Sequence, residues 1–143
     1  MTDKYIRYQK GYKYQLVEDY IIQTEMLFPK EIYTPFIVVI PTGVIEIKTG
    51  YAWDGASGPT IDTRSSMRGS LVHDVGYQLM RDRHISIEYR KSFDALLEKL
   101  CIEDGMYKWR AKLWEKTVRK FAVGAALPEN IKKIYTAPRE VCY

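Results

Sequence analysis

The sequence predicts an α+β fold, with an N-terminal antiparallel sheet of four to six strands followed by three packed helices. Three observations carry that expectation. The apolar residues alternate or run continuously up to about residue 64, and take a helical period beyond it. Two apolar runs flank Pro41-Thr42-Gly43, a strong hairpin signal. In the second half, serines precede the apolar stripes and a glycine follows one of them, the usual punctuation of helices.

Residues 4–26 read as two extended segments. Tyr12, Tyr14 and Leu16 alternate with Lys13 and Gln15, Tyr20-Ile21-Ile22-Gln23-Thr24 is rich in strand formers, and Gly11 is the expected turn after Tyr8. Phe28-Pro29-Lys30 breaks the pattern. Phe36-Ile37-Val38-Val39-Ile40 has strand length, and in Val44-Ile45-Glu46-Ile47-Lys48 the two isoleucines share a face. Gly50-Tyr51-Ala52-Trp53 suggests one more short strand. The first helix is expected to run to about Arg81, capped by Ser65 or Ser66. The second is expected over 87–103, with Ser86 as cap, Gly105 as stop and Phe93, Leu96, Leu97 and Leu100 as its apolar stripe. A third is expected over 106–121, with Trp109, Leu113 and Val118 inward and Gly124 and Pro128 beyond its end. The organisation is then a β platform and loop over 1–64, helices over 65–124, and a tail over 125–143 in which Pro138 opposes a long helix.

With 143 residues, 46% apolar and 28% charged, the chain has the composition of one globular domain. No apolar run is long enough to span a bilayer, and the first residues lack the apolar core of a secretory signal. Two cysteines, Cys101 and Cys142, make no disulfide framework. The expectation is a reducing, cytosolic setting. The net charge of +4 supports weak attraction to anionic surfaces.

Chemistry concentrates in the first two helices. Asp82-Arg83-His84-Ile85 is a short link, so the helices should be antiparallel neighbours. Positions 74 and 94 each lie ten residues from His84, which puts Asp94 level with His73 and Asp74. His73, Tyr77 and Arg81 follow at i, i+4 and i+8 on one face, and Asp74 is turned from His73 by about 100°. Asp94 can then orient one ring nitrogen of His73 while the other faces a cleft as a general base. Tyr77 and Arg81 can fix Asp94 or the backbone, leaving Asp74 to bind a cation or a substrate donor. Asp54 and Ser57, in the turn-rich loop 51–60, are candidates for the other half of a binding site, or simply satisfy loop amides. Gly55-Ala56-Ser57-Gly58 lacks the spacing of a nucleophile elbow. With only His73 and His84 as histidines a zinc site is not expected, whereas one calcium ion held by oxygens is a candidate cofactor.

Two resemblances follow from these motifs. Trp53-Asp54-Gly55-Ala56-Ser57-Gly58-Pro59, His73-Asp74-x-x-Tyr77, Phe93-Asp94 and Val118-Arg119-Lys120-Phe121, in that order, resemble an uncharacterised family of bacteriophages and prophages with a D-x-A-S-x-P loop and an H-D-x-x-Y helix. That resemblance covers roughly residues 20–124 and implies a phage origin without an activity. The loop, the H-D-x-x-Y helix and the Asp on the next helix are also similar to the calcium-dependent secreted phospholipases. Their pattern implies His73 as general base, Asp74 as calcium ligand, Tyr77 and Asp94 as groups orienting the imidazole, and loop carbonyls over 51–58 as further ligands. Those enzymes are dense in disulfides and this chain is not.

Two functional readings stand open. One is a small phage-encoded protein with a hydrolase-like His–Asp site acting on an ester or lipid. The other is a non-enzymatic phage protein, a virion part or a binder of a host protein or nucleotide, in which the same residues form a buried polar lock. The basic residues Lys108, Arg110, Lys112, Lys116, Arg119 and Lys120 form either a solvated face or a seat for phosphate backbones.

Overall fold

The computed structural model describes residues 6–8, 14–55, 63–121, 126–128 and 135–137. It is an α+β protein in which strands β1 (Ile6–Tyr8), β2 (Tyr14–Gln15), β3 (Tyr20–Gln23), β4 (Ile32–Tyr33), β5 (Ile37–Val39), β6 (Val44–Ile47) and β7 (Ala52–Trp53) precede the helices. Helices α1 (Arg64–Arg81), α2 (Arg90–Glu103) and α3 (Lys108–Phe121) follow, then strand β8 (Tyr135–Ala137).

The main sheet has four antiparallel strands in the order β3-β6-β5-β4, so its first strand lies beside its last. The expected hairpin is its centre. Ile37 pairs with Ile47 and Val39 with Ile45, which stacks four buried side chains as cross-strand neighbours on one face. Gly43 turns this hairpin at φ +104°, and a Cβ there would come within 2.5 Å of the Met26 carbonyl oxygen. The early segments pair differently from a local hairpin: β1 joins β8, and β2 joins β7. Gly11, the expected turn, lies outside the described residues, as do Gly124 and Pro138.

Helix α1 is the central element. Its residues Leu71, Val72, Val75, Leu79 and Met80 share one core with Ile22, Ile37, Val39, Ile45 and Ile47 of the sheet, and with Phe93 of α2. Thr63 is its N-cap, ahead of the expected Ser65 or Ser66. Ser66 instead reaches back, accepting from the Thr63 amide at 2.9 Å. The helix ends in a Schellman motif, with His84 N–H donating to the Leu79 carbonyl and Arg83 N–H to Met80. Arg83 occupies the left-handed position, at φ +63°. Helix α2 closes the same way on Gly105, and Ser86 caps the single 3₁₀ turn, 87–89, that leads into it.

Helix α3 packs on α2 through Ala111, Trp114 and Val118, which meet Leu97, Cys101 and Met106 in a second core. This corrects the expected inward face. Val118 is buried, but Trp109 and Leu113 point out. Ala111, Trp114 and Val118 follow at i, i+3 and i+7, a complete stripe on their own, and the side of α2 on offer seats that one.

Candidate functional site

The site begins with a packing constraint. Gly69, His73, Gly76 and Tyr77 lie on the stripe of α1 that faces α2. A Cβ on Gly76 would approach the Phe93 ring to 2.3 Å, and one on Gly69 the Cys101 Sγ to 2.8 Å. The two glycines let the helix axes come close, and between them His73 and Tyr77 reach Asp94. His73 Nε2 lies 2.7 Å from Asp94 Oδ1, and the Tyr77 hydroxyl donates to that same oxygen at 2.7 Å. The imidazole and phenol rings are stacked obliquely, with centroids 4.2 Å apart. Asp94 is fully buried and His73 is 5% exposed.

The carboxylate Oδ1 accepts from Tyr77, so its best partner on the imidazole is an Nε2–H donor. That tautomer leaves Nδ1 as the basic nitrogen. Nδ1 faces Asp74 Oδ1 at 4.0 Å, too far for a hydrogen bond, and the Asp74 side chain is 32% exposed. Asp94 Oδ2 is buried with no hydrogen-bond partner among the described residues. Burial pulls the His73 imidazole down, but the carboxylates of Asp74 and Asp94 outweigh it and hold its pKa above the ordinary value. Burial pushes the Tyr77 phenol well up, and the bond to Asp94 adds to this, so Tyr77 remains a donor.

A second face of α1 carries the link to the β platform. Trp53 Nε1 donates to Ser70 Oγ at 3.2 Å, and the Tyr51 hydroxyl donates to Gln78 Oε1 at 2.9 Å. Ser70, Asp74 and Gln78 follow at i, i+4 and i+8, so these bonds lay β7 along the Asp74 stripe. Asp54, exposed at the end of β7, thereby acts on Asp74. Burial raises the Asp74 carboxyl, the Asp54 charge adds to that, and His73 and Arg81 oppose it. The sequence signal for both tethers is the i, i+4, i+8 spacing of polar residues around Asp74.

Of the expected site residues, the structure brings His73, Tyr77 and Asp94 into contact and sets Asp74 beside them. Arg81 is half-buried and acts on Asp74 by its charge, while Asp94 takes its hydrogen bonds from His73 and Tyr77. Ser57 lies outside the described residues, as do Gly58 and Pro59. Among the described residues no group of three or more His, Cys, Asp or Glu could hold a metal ion. Asp74 and Asp54 are two carboxylates at this place, and of the loop carbonyls over 51–58 those of 56–58 lie outside the described residues. No described helix is long and apolar enough to cross a membrane.

Compared with known protein families, curated proteins and solved structures, the chain matches none.

Proposed function

We propose that the protein is a small phage-encoded hydrolase that uses His73 as a general base on an ester, with lipid esters as the first substrates to test. One observation carries the reading. His73 is held at Nε2 by an Asp94 oxygen that Tyr77 also fixes, while Nδ1 makes no hydrogen bond among the described residues and faces the partly buried Asp74. In the reaction, Nδ1 takes a proton from water as the water oxygen attacks the ester carbonyl carbon. The resulting imidazolium returns that proton to the departing alkoxide when the tetrahedral intermediate collapses. Asp94 and Tyr77 keep the ring oriented and stabilise its positive charge. Asp74 lines the approach to Nδ1 and orients the water or a substrate donor. The phage origin rests on the order of the four sequence motifs.

The test is hydrolysis of a panel of carboxylic esters and phospholipids, with and without calcium, by the wild type and by His73→Gln and Asp74→Asn. Glutamine keeps a donor for Asp94 and has no basic nitrogen. The reading expects His73→Gln to lose roughly 10²–10⁴-fold in turnover, with its melting temperature nearly unchanged at a pH where His73 is neutral. An inactive wild type across the panel sinks it.

The burial of His73 and Asp94 favours a second reading, a polar lock in a non-enzymatic virion, host-binding or nucleotide-binding protein. In that case no variant changes a turnover, and His73→Gln loses several degrees of stability.

A further inference from the structure

Helix α3 carries six basic residues against one acid, Glu115, and that acid is buried and paired with Arg119. Lysines recur every fourth residue at 108, 112, 116 and 120, an arrangement in which like charges repel along the helix and destabilise it. Lys108, Lys112 and Lys116 form no ion pair among the described residues. Amid these lysines two large apolar side chains stand out into solvent, Trp109 at 68% exposed and Leu113 at 59%. Tyr107, just before the helix, is 74% exposed. The inward stripe of Ala111, Trp114 and Val118 already ties α3 to α2, so nothing in that core requires Trp109 and Leu113 to be apolar.

We infer that the outer face of α3 docks on an anionic lipid surface. Charge complementarity selects a negatively charged partner, and the aliphatic side chain selects between the two common ones. Trp109 could stack on a nucleic-acid base, but Leu113 has no ring with which to do so. Both side chains have a favourable place at the headgroup–acyl boundary of a bilayer, with lysines reaching to the phosphates. Binding of this kind requires no turnover by His73, so the inference stands apart from the hydrolase reading.

The experiment is co-sedimentation of the full chain with vesicles of phosphatidylcholine alone and with phosphatidylglycerol added, with tryptophan emission recorded alongside. The variants are Trp109→Ser, Lys112→Gln and Lys112→Gln/Lys116→Gln, all at exposed positions, with melting curves to confirm an intact fold. The expected result is partition onto the anionic vesicles, weakened by added salt and by about fivefold for each lysine removed. A blue shift on binding should vanish in Trp109→Ser, because Trp53 and Trp114 are already buried. Three outcomes overturn the inference: no partition, partition indifferent to these variants, or tighter binding to an oligonucleotide than to anionic vesicles at the same salt.

Discussion

Gly76 lies so close to the ring of Phe93 that a Cβ on it would come within 2.3 Å of Cδ1. This contact sets the spacing of α1 and α2, and the 2.7 Å bond between His73 and Asp94 depends on that spacing. Phe93 is fully buried, so its ring has nowhere to retreat. Gly76→Ala should therefore destabilise the protein by about 1–3 kcal/mol, despite the better helix propensity of alanine. Urea denaturation measures the loss. An unchanged midpoint would mean that the two helices are not in this contact.

Tyr77→Phe removes one of the two hydrogen bonds to Asp94 Oδ1 and adds no bulk. It leaves a buried carboxylate with one partner fewer, at a cost of about 1–3 kcal/mol. Equilibrium unfolding gives the stability change. If His73 acts as a base, the same variant should lower kcat more than it alters KM, because the ring orientation is loosened while the approach to the site is untouched.

The titration of His73 makes a signed prediction. Its folded pKa lies above the ordinary value of 6.5, so the charged ring contributes stability that is complete below that pH. The contribution disappears as pH rises through the folded pKa. The wild-type melting temperature should fall across this interval relative to that of His73→Gln. Any hydrolysis that needs neutral His73 should rise over the same interval. Proton NMR of the imidazole locates the transition, and a pKa at or below 6.5 contradicts the proposed environment.

Asp54 has a testable long-range role. Its charge adds to the burial that raises the Asp74 carboxyl, although the two residues are 20 positions apart in sequence. Asp54→Asn should lower the Asp74 pKa, as read from its side-chain carbon shift during an NMR titration. No movement of Asp74 would mean that β7 does not lie along the Asp74 stripe.

Much of this arrangement can be read from local pattern alone. Alternation in Val44-Ile45-Glu46-Ile47 and the break at Pro41-Thr42-Gly43 determine the central hairpin. Gly105 and Ser86 determine the bounds of the second helical segment, because backbone caps use only neighbouring residues. Equal counting from the short link at His84 sets Asp94 level with His73, since rise per residue is the same in both helices. The rest depends on partners distant in the chain. Which stripe of α3 turns inward is decided by the surface of α2 that meets Ala111, Trp114 and Val118, and a helix with apolar residues on two sides does not contain that choice. Pairing of β1 with β8, the bond from Trp53 to Ser70, and the closeness of Asp54 to Asp74 join segments that no local period relates. Local propensity acts over a few residues. Which polar groups come to share a buried space is settled only when the sheet and helices close on a common core.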